Sequence, residues 1–197
     1  MKTLRKFLLV VLALSMVQQV WASEVTHTIN QGTMVYVDFP EFGPCLWKST
    51  FVIGWETMSQ SASQSAGKPA KEKQVYVIIF TLNTCSGVFG MNASGSANGG
   101  VQFRGGSALI STPILVYDVV AGANSLIQVD LTWEANGPPV NAGWRSHDLQ
   151  NGTRVVSHFT GRTWSTVVTG SVGGTTVPLT QFSSLNSVNY GTITITK

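Results

Sequence analysis

Two glutamates directly follow tryptophans in alternating apolar runs: Trp55-Glu56 and Trp133-Glu134. Two carboxylates flanking a glycosidic bond, with indole rings to stack on sugar, are the equipment of a glycoside hydrolase. The phase of the alternation opposes that chemistry, because successive side chains of a strand take opposite faces. Trp133 keeps step with Ile127, Val129 and Leu131, whereas Glu134 keeps step with Gln128, Asp130 and Thr132. Trp55 likewise follows Phe51 and Ile53. Core tryptophans beside solvated glutamates are therefore expected, and no catalytic residue is assigned. A small secreted hydrolase using Glu56 and Glu134 is the alternative.

The remaining reactive types form no larger set. If Asn151-Gly152 is a two-residue turn, Gln150 pairs with Thr153 and His147 with Val156. His158 then lies diagonally from His147 on one face, roughly 7 Å away. Two histidines without a third aligned ligand do not make a metal site, and His27 stands in a polar stretch apart from them. There is no GxSxG nucleophile motif and no glycine-rich run ahead of a helix to cradle phosphate. No metal or cofactor is expected. Asn92-Ala93-Ser94 and Asn151-Gly152-Thr153 match the N-glycosylation pattern, which matters only in a glycosylating organism.

The segment 136–144 is the most suggestive for binding. It combines Asn136, Pro138, Pro139, Asn141 and Trp144, with Arg145 adjacent. A Gly-Pro-Pro stretch cannot continue a strand, so a loop is expected up to about Trp144. An exposed indole beside amides and a guanidinium is a common way to hold a sugar or a surface protein. The competing account folds Trp144 back over the end of the domain as a lid.

The elements that would position these groups start with the N-terminus. Lys2, Arg5 and Lys6 precede an apolar run over 7–17, and Ala22 offers a small residue for cleavage. This is the layout of a signal peptide over 1–22; the run is shorter than the roughly 20 residues that span a bilayer. The composition of 12 basic and 9 acidic residues places three of the basic ones in that segment, which leaves nine of each sign. A chain so balanced lacks the cationic surplus that displaces counterions from nucleic-acid phosphates. Nucleic acid is discounted as a partner, and so is membrane insertion after cleavage.

Two cysteines, Cys45 and Cys85, remain for an exported chain, and pairing is the simplest outcome. Their bridge closes a loop of about 41 residues, worth roughly 4 kcal/mol in the chain-entropy model.

Alternation and β-branched content mark strands over 33–39, 46–56, 74–82, 88–97, 101–110, 114–120, 125–134, 162–172, 175–179 and 192–196. Asn98-Gly99-Gly100, residues 121–124, Asn151-Gly152 and Gly173-Gly174 supply turns between them. Residues 59–73, rich in Ser, Ala, Gln and Lys, are expected to form an exposed loop. Many short strands at such spacing predict a two-layer antiparallel β-sandwich, immunoglobulin-like or jelly-roll-like, as a single domain over 23–197. A membrane barrel would need aromatic girdles and a polar interior, which the doubly apolar run 74–82 opposes. The functional expectation is an exported, non-catalytic β-sandwich with a binding or surface-structural role.

Overall fold

The computed structural model describes residues 21–38, 45–61, 70–119, 121–178 and 181–196. The expected targeting segment falls almost wholly outside them. The described chain forms strands β1 (Trp21–Asp38), β2 (Leu46–Ser61), β3 (Ala70–Asn83), β4 (Val88–Asn98), β5 (Val101–Arg104) and β6 (Ser107–Asp118). These are followed by β7 (Ala123–Ala135), β8 (Val140–Gln150), β9 (Thr153–Val172), β10 (Thr175–Thr176) and β11 (Gln181–Thr196). Every pairing is antiparallel. The all-β antiparallel expectation holds.

The ladder is continuous through β9-β11-β1-β2-β3-β4-β6, and β7 then joins β6 on one side and β9 on the other. The circuit therefore closes on itself. Its narrowest join is β4 to β6, with three pairs from Ala93–Asp118 to Gly95–Val116. Two facing layers arise as two sides of this one circuit. The Trp133 indole on β7 donates to the Thr33 carbonyl on β1 at 3.0 Å. A Cβ on Gly54 of β2 would lie 2.7 Å from Ile110 of β6 and 3.1 Å from Val101 of β5, so the layers touch there with no room for a side chain. Between them Met34, Val52, Val77, Ile110, Leu131 and Trp133 are fully enclosed. At about 25 cal/mol per Å² of apolar surface, each large side chain removed from water contributes roughly 1.5–3 kcal/mol.

β6 shows the pattern in its simplest form: Ala108, Ile110, Thr112, Ile114 and Val116 are buried while their neighbours face out. Pro113 is tolerated mid-strand for a geometric reason. The Ser111 amide points toward β5 and bonds to the Gly100 carbonyl at 3.0 Å. Two residues on, position 113 points the same way, into the gap between the β5 and β4 pairings, where no N–H is needed.

Cys45 and Cys85 are bridged, with Cα atoms 5.3 Å apart. The bridge ties the residue before β2 to the β3–β4 turn. The Thr84 amide bonds to the Cys45 carbonyl at 2.7 Å, and the Asn83 side chain accepts from the amides of Cys85 and Ser86. Such a bridge belongs to oxidising compartments outside the cytoplasm.

Three expectations about element bounds are corrected. The loop expected over 59–73 is shorter: β2 runs to Ser61 and β3 starts at Ala70, with Ser59 paired to Ala70. Residues 62–69 lie outside the described residues. Lysines that suggested a solvated loop instead extend along β3 and pair with Glu56 on β2. The loop expected over 136–144 ends at Pro139, because β8 begins at Val140 as soon as the prolines are passed. The run 101–110 is broken by a turn at Gly105-Gly106, where Gly105 has φ of 61°.

Candidate functional site

The two glutamates are not brought together. Glu134 is exposed and Trp133 fully buried, as their phase requires. At β2 the phase is the reverse of the expected one. Glu56 points inward with only 4% of its surface exposed, and Trp55 points outward, half-buried. Phe51 and Ile53 set the expected phase, yet they are half-buried on the outer side. The true core side of β2 carries Val52 and Gly54, and a glycine emits no hydrophobic signal. Lys71 and Lys73 close on the Glu56 carboxylate at 2.8 and 3.3 Å, and Lys73 also donates to the Val101 carbonyl at 2.6 Å. Glu56 is thus a sequestered ion-pair anchor between β2, β3 and β5. Glu134 faces the opposite side of the ladder, beside Gln102, Arg104 and Thr132.

The β8–β9 hairpin has the register its turn implies, with Gln150 opposite Thr153 and His147 opposite Val156. Asn151 and Gly152 take φ of 51° and 79°, the left-handed pair of a tight hairpin turn. Trp164, Val168 and Val172 fix which side of β9 faces the core. Alternation then places Asn141, Arg145 and His147 of β8, and Arg154, His158, Thr160 and Arg162 of β9, on that same side as it continues past the core. Trp144 takes the other side. Its ring lies nearly parallel to Phe159, with centroids 6.3 Å apart at 11°, and tilted to Tyr190 at 6.3 Å. Hydrogen bonds from Thr192 and Ser157 hold the Tyr190 phenol below its ordinary pKa. Trp144 is 50% exposed, so it is no lid. Of the four binding candidates, Asn141 and Arg145 share a side, Trp144 opposes them, and Asn136 sits in the loop with its amide bonded to Ser165.

His147 and His158 do share a side. His147 Nδ1 accepts from the Arg154 guanidinium at 3.0 Å. The His158 ring lies over Gly191 of β11, in the space a side chain would otherwise fill. Among the described residues no group of three His, Cys, Asp or Glu side chains is placed to hold one metal ion.

Where β8, β9 and β11 leave the core, a cleft of about 400 Å³ opens on the arginine-bearing side. Asn141, Thr160, Arg162, Ser187 and Asn189 line it, with the edge of Trp164 at its base and Gly105 of the β5–β6 turn on its rim. Thr28 donates to the Asn189 side-chain oxygen at 2.8 Å, which turns the amide nitrogen into a fixed donor. Sequence reasoning named only Asn141 of this set. The polar residues stand on strands with little apolar alternation, and the usable signal was the phase of Thr160 and Arg162 with Trp164.

No family model matches the chain, and no curated protein does. Among solved structures it is similar, at 9% identity, to the secretin InvG of the Salmonella type III secretion injectisome, in its open gate state. The match covers 97% of this chain and 64% of that one, with a TM-score of 0.15 that carries no argument about fold or role.

Proposed function

We propose that the chain is an exported, non-catalytic glycan-binding protein, with its site in the cleft between β8, β9 and β11. The observation that carries this reading is the composition of the cleft. Two amides, two hydroxyls and a guanidinium surround an indole edge in about 400 Å³. Sugars are recognised by such convergent polar groups around a partly apolar floor. The donors stand on paired strands, so little ordering cost opposes binding. The signal-like N-terminus and the disulfide support export to an extracellular or periplasmic space. The placement of Glu56 and Glu134 on opposite sides of the ladder gives no support to paired-carboxylate hydrolysis.

A glycan array probed with the chain from residue 23 onward tests the reading, followed by titration of the strongest hit. Arg162→Ala and Asn189→Ala should each weaken that hit about ten-fold or more, equivalent to about 1.4 kcal/mol. An array without hits, or hits indifferent to both substitutions, would remove the cleft from consideration.

A further inference from the structure

We infer that the ligand is an acidic glycan, bearing carboxylate or sulfate groups, which runs from the cleft along the core-facing side of the β8–β9 hairpin; this rests on the glycan-binding reading above. Arg162 stands on the wall of the cleft. Four residues back along β9, His158 lies opposite Arg145, and four further back stands Arg154, bonded to His147. At about 3.3 Å per residue these stations are roughly 13 Å apart. Three guanidinium groups and two imidazoles therefore form a line about 26 Å long on one side of one hairpin. Arg145, Arg154 and Arg162 are all exposed.

Among the described residues no carboxylate answers them on that side of the hairpin. Asp148, the acidic residue of β8, alternates to the opposite side with Trp144. Glu24 of β1 is on the arginine side but two strands from β9 and three from β8, roughly 10 and 14 Å at the ladder spacing. Glu56 is already held by two lysines. Among the described residues a chain with balanced charge thus keeps a cationic strip with no carboxylate beside it where the cleft opens. Guanidinium groups pair with carboxylate or sulfate oxygens through two parallel hydrogen bonds, which favours planar anionic substituents.

The same strip lacks what single-stranded nucleic acid needs. Bases bind by stacking on exposed aromatic rings. The aromatic row Trp144–Phe159–Tyr190 lies on the other side, and among the described residues of β8, β9 and β11 the arginine side offers only the buried Trp164. Amides and hydroxyls in the cleft instead suit the hydroxyls of a sugar.

The test compares an acidic polysaccharide (uronate- or sulfate-bearing), its neutral counterpart with the same backbone, and single-stranded DNA. Each is titrated against the chain from residue 23 onward. The acidic polymer should bind at least ten-fold tighter than the neutral one and lose affinity as salt rises. Arg145→Gln with Arg154→Gln should lower that affinity at least ten-fold without shifting the melting temperature, and Arg145→Lys with Arg154→Lys should restore part of it. Equal binding of acidic and neutral polymers, unaffected by the arginine changes, would overturn the inference and leave the cleft reading intact. DNA binding as tight as that of the acidic polymer would also overturn it, as a non-selective polyanion surface. Absence of binding to either polysaccharide would remove the underlying reading as well.

Discussion

Strands β6 and β8 have nearly the same length, 12 and 11 residues, and are held by different forces. β6 buries every second side chain against the facing layer, from Ala108 to Val116. β8 is exposed on both sides from Val140 through Leu149, and its sole ladder partner is β9. Burial dictates the register of β6, since a slip of one residue would turn its apolar set to water. Nothing of that kind constrains β8. Its register comes from the Asn151-Gly152 turn, from ladder hydrogen bonds worth about 0.5–1.5 kcal/mol each, and from the stacking of Trp144 on Phe159. The molecule thus has a half whose inner surface is consumed by its core and a half that ends in a hairpin strand with both sides exposed. The cleft and the cationic strip lie where the second half departs from the first.

This contrast can be broken at several points, beginning with the core. Trp133→Ala should cost about 3–5 kcal/mol, the range for deleting a buried aromatic, and it also removes the indole's bond to the Thr33 carbonyl across the layers. A thermal or denaturant melt reads this; a loss near zero would mean that the layers do not close on Trp133. Replacing Cys45 and Cys85 by serine should cost about 2–4 kcal/mol, felt as well in the layered half. Gly152→Ala probes the other half. A φ of 79° strains any side chain by about 1–2 kcal/mol. Amide exchange should accelerate across β8 and the facing part of β9 while β6 stays protected. Uniform acceleration would show that the two halves open as one. Smaller still is the effect at Asp130, where hydrogen bonds from Ser111 and then Gln128 hold the carboxyl below its ordinary pKa. A depressed carboxyl stabilises the fold above its unfolded pKa and loses that contribution as pH falls through the folded value. Ser111→Ala should therefore reduce stability slightly at neutral pH and leave it unchanged in strong acid.

The same contrast decides what could be read from the sequence. The run over 125–134 was legible because the layered half obeys hydrophobic alternation, and the turns at Asn98-Gly99-Gly100, Asn151-Gly152 and Gly173-Gly174 because tight turns in either half need glycine. β1 was expected from residue 33 and begins at Trp21; β11 was expected from 192 and begins at Gln181; β9 was expected from 162 and begins at Thr153. The missing parts are mostly polar and half-buried, and where they do meet the core the signal is sparse: Leu185 is the single apolar side chain of β11 in the core cluster, and Gly32 of β1 emits none. Gly54 hid the phase of β2, so Trp55 and Glu56 were assigned the wrong sides. Asn141 and Arg145 were flagged for their side-chain chemistry. Thr160 and Arg162 could have joined them by their phase with Trp164, but Ser187 and Asn189 only once the β9–β11 register was known.

Trp144 gives the finest test of the division. It lies in the free half, on the side away from the cleft, and half of its surface meets water. Its support consists of Phe159 beneath it and Tyr190 beyond. Aromatic pairs of this kind contribute about 0.5–1.5 kcal/mol beyond area burial. Trp144→Ala should accordingly lower stability by about 1–3 kcal/mol by the sum of two such pairs. Its signature should be local: faster amide exchange along β8, and loss of the indole contribution to fluorescence change on unfolding. Because the indole and the Arg145 side chain leave β8 on opposite sides, the substitution should leave glycan affinity unchanged. A stability loss of about 4–5 kcal/mol would instead give Trp144 the weight of a core residue, and its side of β8 would be a buried surface after all. Loss of glycan binding with stability intact would move the site to the aromatic row, on the opposite side of the hairpin from the arginines.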